Sequence, residues 1–261
     1  MGLQLLYSDV ALARRGATIT ASTDSADFPA ANLLHPARGT VYRITGTIPA
    51  TIDLDINIGA TLGASFAVSG AAVLNLRSDA PSGFEPMIDV YQSASPTFSG
   101  SPVSSFPGFS VFNGKRDRIN KLASGYIAQY WRFRITTNGY GFSIGKLMLG
   151  IHADLGYFWS PKSTVAVVEP GDELRTIDKT AISVMTGEVH NEYALLFEQV
   201  GDGEQQIWDA IVRARSPFGM VDALGNHVHA RIAGARRIDF EHDFGIDPSL
   251  WTFTVPIEAM P

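Results

Sequence analysis

The 261-residue chain sets 20 Lys and Arg against 26 Asp and Glu, a net charge of −6, with 45% hydrophobic residues and no cysteine. This composition supports a packed core, and it excludes a disordered chain, a disulfide scaffold and a thiolate metal site. The acidic balance also argues against binding nucleic acid, whose affinity comes mainly from clustered Lys and Arg.

Charge is unevenly distributed. Residues 1–150 hold 12 Lys and Arg against 9 Asp and Glu, a net of +3, whereas residues 151–261 hold 8 against 17, a net of −9. A chain of this length is expected to split into two cores, and the charge break places the boundary near residue 150. The first residues, Met1-Gly2-Leu3-Gln4-Leu5-Leu6-Tyr7, carry no basic stretch, so no secretory signal is expected. No apolar run reaches the ~20 residues needed for a membrane span.

From the N-terminus, short apolar runs broken by Gly, Ser, Pro and Asn predict strands over 3–7, 18–21, 50–56, 65–68, 72–77, 87–91, 130–136 and 143–149. Two alternate cleanly. In Ile52-Asp53-Leu54-Asp55-Ile56 the aliphatic side chains share one face and the aspartates the other; in Trp131-Arg132-Phe133-Arg134-Ile135 the arginines take the wet face. Trp131 and Phe133 are therefore expected in the core. Residues 93–124 are a low-complexity stretch with Ser-Pro, Gly-Ser-Pro and Phe-Pro-Gly-Phe followed by Lys115-Arg116-Asp117-Arg118, which reads as a long loop or a partner-contacting arm.

Beyond residue 150, strands are predicted over 164–169, 180–189, 192–198, 227–232 and 251–257. One helix is predicted over Glu204–Arg215, with Ile207, Trp208, Ile211 and Val212 on one face. The fold class is thus mainly β: a sandwich or jelly roll over 1–150, then a smaller α+β domain, a sheet or barrel with one helix, over 151–261.

Chemistry is sparse. The chain lacks a phosphate loop, a nucleophile elbow and a zinc-protease helix, so no enzyme, no catalytic residue and no cofactor are expected. Asp53 and Asp55 share a strand face but read as its solvated side. His227 and His229, near Glu241, His242 and Asp243, have the spacing to reach one ion from a strand; the ligand set is incomplete, and no metal is expected. Asp24, Asp27 and Asn32 offer oxygens to calcium or serve the turn itself. Phe106, Phe109, Phe112 and Arg116 form the densest aromatic and basic group. They read as a glycan-binding loop or, with Lys115, Arg116 and Arg118, as an assembly arm packed on a neighbouring subunit.

The run Ala17–Arg38, with its Ala21-Ser22 and Ala31-Asn32-Leu33, followed by Tyr42-Arg43, Ala50–Ile56, Tyr130–Ile135 and Phe142–Leu149, resembles discoidin-like (galactose-binding-like) jelly rolls. His35-Pro36 stands where that family often has Asp and Gly. The second half, through Glu192–Glu198, the helix, Pro217-Phe218-Gly219 and the strands 237–240 and 253–257, is similar to a ring-forming module of phage tails. The resemblance implies a structural component of a tail tip (distal tail or baseplate). It would be assembled in the host cytoplasm into the virion as a homo-oligomeric ring, contacting tail tube, hub and fibres. The alternative it leaves open is a glycan-binding adhesion module that recognises the host surface.

Overall fold

A computed structural model describes residues 3–36, 40–45, 48–81, 86–106, 117–155, 160, 162–168, 171–175, 181–185, 190–222, 225–233, 238–242 and 250–260. In chain order the first strands are β1 (Gln4–Tyr7), β2 (Thr18–Ala21), β3 (Tyr42–Ile44), β4 (Thr51–Asn57), β5 (Ala67–Leu74), β6 (Arg77–Ser78), β7 (Met87–Ser93), β8 (Ser104–Phe106), β9 (Arg118–Ile127), β10 (Tyr130–Thr136), β11 (Phe142–Ile144) and β12 (Lys146–Asp154). One short helix, α1 (Ala60–Ser65), lies between β4 and β5. Then come β13 (Thr164–Val168), β14 (Gly171–Arg175), β15 (Ala181–Met185), β16 (His190–Val200), helix α2 (Asp202–Ala214), β17 (Phe218–Val221), β18 (His227–Ile232), β19 (Glu241–His242) and β20 (Trp251–Ala259).

Contacts divide the chain into two compact units: Met1–Gly156 with Ser216–Val228, and Tyr157–Arg215 with His229–Pro261. The first unit reaches past residue 150 because β17 pairs with β1, Leu5 opposite Met220, and so belongs to its sheet.

The first unit is an antiparallel β-sandwich, a jelly roll. One layer has the order β2-β4-β10-β7-β8, the other β17-β1-β12-β5-β9, and a small sheet β3-β11-β6 closes one part. The alternation expected for 52–56 and 131–135 is the observed register. Ile56, Leu54 and Ile52 lie opposite Trp131, Phe133 and Ile135, and all six are buried. Ile88 and Val90 continue the row from β7. From the facing layer, Val68, Ala71, Val73, Leu147 and Leu149 fill the same core. Each large aliphatic or aromatic side chain so placed contributes about 1.5–3 kcal/mol of burial.

An ion pair lies inside this core. Lys146 and Asp9 meet at 3.0 Å with side chains only 1% and 2% exposed. Every group finds further partners: the ammonium donates to the carbonyls of Ala11 (3.2 Å) and Leu33 (3.1 Å), and Asp9 Oδ1 accepts the N–H groups of Ala11 and Leu149. The pair ties the segment after β1, the 3-10 turn Ala30–Leu34 and β12 to one point.

In the second unit the sheet order is β13-β16-β20-β18, with β19 also on β20 and β14-β15 forming a separate hairpin. Helix α2 begins two residues earlier than expected. Its first turn holds Asp202 and Glu204, and Arg215 ends it in the left-handed conformation, φ 49°. Of the four apolar residues expected on its face, Trp208 and Ile211 are buried, while Ile207 and Val212 are half-buried. The Trp208 ring packs 5.6 Å from Phe197, which stacks 5.2 Å from Phe253. Phe253 in turn meets Phe240 at 4.9 Å. Among the described residues no helix is long and apolar enough to cross a membrane.

Candidate functional site

The aspartates on the wet face of β4 are fully engaged. Arg132 grips Asp55 with Nε and Nη2 at 2.6 and 2.7 Å, and Arg134 grips Asp53 at 2.8 and 2.9 Å. Arg132 also reaches Asp53 at 3.1 Å. The hydrogen bond from Arg134 holds the Asp53 carboxyl below its ordinary range, aided by the charges of both arginines and opposed by partial burial. Phe98 lies 4.3 Å under Arg132 and Tyr91 lies 5.3 Å from Arg134. On this face Asp53 and Asp55 are held in bidentate arginine pairs, and Asp89 of β7, opposite Arg134, accepts a hydrogen bond from Ser105 Oγ.

Other residues singled out from the sequence also have structural occupations. Asp24 Oδ1 accepts the N–H groups of Ser25 and Ala30 at 2.9 and 2.8 Å, and Asn32 donates to the Val41 carbonyl, so these two residues shape the loop backbone. His227 Nδ1 accepts the Ile119 N–H at 3.0 Å, and His229 is buried. Among the described residues no group of three or more His, Asp or Glu is placed to hold a metal ion.

Phe106 corrects the aromatic-loop expectation. It is 1% exposed and sits opposite Ile88 at the end of β8, because strand pairing turns it into the core rather than toward a ligand. Arg118, placed in the arm, is the half-exposed first residue of strand β9, opposite Val73. Asp117 beside it is buried and accepts the Asn75 N–H at 2.7 Å. Phe109, Phe112, Lys115 and Arg116 lie outside the described residues.

A face that sequence reasoning missed is built by β3, β11 and β6, three strands far apart in the chain. Tyr42, Ile44, Phe142 and Ile144 are buried. Alternation therefore turns Arg43, Ser143 and Arg77 outward together. In register, Arg43 lies opposite Ser143, and Ser143 opposite Arg77, which sets the two arginine backbones about 10 Å apart at ordinary strand spacing. Both arginines are exposed. Arg77 makes one long hydrogen bond to Asn75 Oδ1, 3.3 Å, and neither arginine has a carboxylate partner among the described residues.

The rim of this face is equally specific. Asp79 donates its N–H to the Gly141 carbonyl at 2.9 Å, and a Cβ on Gly141 would stand 2.7 Å from Asp79 Oδ2. A side chain there would push the carboxylate away. On the other side the Phe28 carbonyl accepts the Arg43 N–H at 3.4 Å, and the Phe28 ring is 38% exposed. Below the face, the Tyr42 hydroxyl donates to the Thr23 carbonyl at 2.5 Å. Burial, then the nearby Asp24 charge, pushes its pKa well above the ordinary phenol range. It is a structural hydroxyl. The assembled groups are two guanidiniums, a hydroxyl, a carboxylate and an aromatic ring, which suit hydrogen bonding to a polyhydroxylated ligand and include no nucleophile paired with a base.

No family model matches the sequence, and no curated protein matches it. Among solved structures, the chain is similar to the lectin domain of lectinolysin complexed with Lewis B antigen, at 14% identity over 55% of this chain and 96% of that one, TM-score 0.39. It is also similar to the family 32 carbohydrate-binding module of NanJ from C. perfringens in complex with galactose, at 15% identity over 58% and 99%, TM-score 0.39. A Ruminococcus gnavus GH29 fucosidase in complex with fucose matches at 12% identity over 56% of this chain and 27% of that one, TM-score 0.42.

A shallow groove of about 420 Å³ on the second unit carries Asp239 and Glu241 beside Thr252 and Thr254.

Proposed function

We propose that the chain is a non-catalytic glycan-recognition protein, with the jelly roll as the binding unit and the second unit as its mount. The observation that carries this reading is the outward row Arg43–Ser143–Arg77, rimmed by Asp79 and Phe28. Elsewhere on the first unit's sheets, Arg132 and Arg134 are consumed by aspartates, whereas among the described residues Arg43 and Arg77 make no ion pair, and Arg77 makes only the long bond to Asn75. The reading rests on this chain's own residues rather than on the likenesses above.

Glycan-array screening of the whole protein tests it. Binding to a defined subset of glycans is expected, and Ser143→Trp, which places an indole between the two arginines, should abolish the signal while leaving thermal unfolding unchanged. A blank array, or full signal from Ser143→Trp, would overturn the reading.

A second reading is favoured by a different observation. Strand β13 pairs on one edge with β16, Thr164 opposite Ala194 through Val168 opposite His190. Val165 and Val167 on it are 55% and 68% exposed. An apolar edge strand is a template for pairing with another chain. That suits a structural subunit of a phage-like tail tip, with copies joined edge to edge into a ring and tail tube, hub or fibre proteins as further partners. Replacing both valines by lysine should convert any ring seen by electron microscopy or sedimentation into monomer; unchanged assembly in that variant would sink this arrangement.

A further inference from the structure

We infer that the ligand of the Arg43–Ser143–Arg77 face is an acidic glycan, one that carries its negative charge as a carboxylate or a sulfate on the sugar. This rests on the glycan-binding reading and specifies its ligand class.

Ser143 is flanked by arginine on both neighbouring strands, so two cations, one on each side of β11, face the same patch of solvent. Like charges on one small sheet repel, and the usual remedy is an interleaved carboxylate. The chain uses that remedy on β4 and β10, where Asp53 and Asp55 alternate with Arg132 and Arg134. On the smaller sheet the position between the arginines is a serine, which adds a hydroxyl and no charge. An oxyanion bound over Ser143 completes the missing element: each guanidinium donates a charge-assisted hydrogen bond and the hydroxyl a third.

Asp79 limits what else fits. Gly141 leaves room for its carboxylate at the end of the face, so the ligand must combine an anionic group over Ser143 with hydrogen-bond donors two strand residues, about 7 Å, further on. A sugar acid or sulfated sugar has both, since its ring hydroxyls donate. A plain polyanion has only the first. Phe28, joined to Arg43 through the backbone and 38% exposed, is an apolar residue at the rim that the C–H face of a pyranose could use.

The test measures binding of the full chain to polygalacturonate (carboxylate), dextran sulfate (sulfate), neutral dextran and galactan, and poly-aspartate, with Arg43→Gln, Arg77→Gln and, as a control, Lys162→Gln. Expected is binding to one or both acidic polysaccharides, weakened about tenfold or more by either arginine replacement and not by Lys162→Gln, a loss of about 1.4 kcal/mol for each tenfold. The two acidic arms tell carboxylate from sulfate recognition. Binding of neutral galactan or dextran as tight as that of the acidic polymers would overturn this inference and leave the glycan reading standing. Equal binding of poly-aspartate would also overturn it, because charge alone would then suffice. Absence of binding to every glycan would overturn both.

Discussion

Replacing Lys146 by alanine should cost about 3–5 kcal/mol, enough to remove a large part of an ordinary domain's stability. The reason is what the change leaves behind. The Lys146 and Asp9 side chains are 1% and 2% exposed, so the Asp9 carboxylate loses its counter-charge where water cannot replace it. The carbonyls of Ala11 and Leu33 lose their donor at the same time. Because those groups belong to three separate segments, the loss should spread through the first unit rather than stay local. Replacing both partners together, Lys146→Met with Asp9→Leu, should recover part of the loss, since no isolated charge remains. Recovery stays partial because Asp9 also caps the Ala11 and Leu149 N–H groups. Urea denaturation of the full chain followed by circular dichroism measures both. A Lys146→Ala variant within about 1 kcal/mol of the parent would mean that the pair is not what holds these segments.

The second large effect is expected in the other unit. Trp208→Ala should destabilise it by about 3–5 kcal/mol, the usual cost of emptying a fully enclosed aromatic site. Trp208 is 0% exposed and joins α2 to the sheet through Phe197, which carries the contact on to Phe253. Without the indole the helix keeps Ile211 as its buried anchor. Trp208→Phe should cost much less, since it keeps an aromatic ring against Phe197. Calorimetry of the three proteins checks this: a Trp208→Ala transition that coincides with the parent's would show that the helix is not held by its tryptophan.

How far the sequence could be read follows from where its signals were local. Strands β4 and β10 were legible because Ile-Asp-Leu-Asp-Ile and Trp-Arg-Phe-Arg-Ile state the inside and outside of the sandwich residue by residue. Strand β5 was read as two pieces, 65–68 and 72–77, because Ser69-Gly70 resembles a break. The structure runs one strand from Ala67 to Leu74, and Gly70 is there for room: a Cβ on it would stand 2.7 Å from Leu6 Cδ1 and 2.9 Å from His152 Cβ.

Strand β9 was missed altogether. Its sequence, Arg-Ile-Asn-Lys-Leu-Ala-Ser-Gly-Tyr-Ile, has small and charged residues where an exposed edge permits them. The Arg43–Ser143–Arg77 row was invisible for a different reason. Each residue lies in a plain apolar-polar-apolar triplet or a two-residue strand, and only the strand order β3-β11-β6 brings them side by side. Pairing across such long stretches of chain leaves no periodic trace.

The return of residues 216–228 to the first unit bears on how the protein is made. Strand β1 is flanked by β12 on one side and β17 on the other, and residues 155–217 must be synthesised between the two. At about 5–20 residues per second that interval is roughly 3–13 seconds. Throughout it the outer edge of β1 has no ladder partner from its own sheet, although Leu5 and Leu6 are already in place. The two units are interleaved along the chain: residues 157–215 of the second come before β17 is delivered and residues 229–261 after it. Moving the second unit into another protein therefore requires three cuts, near residues 156, 215 and 228, and a single cut near residue 150 would carry β17 away with it.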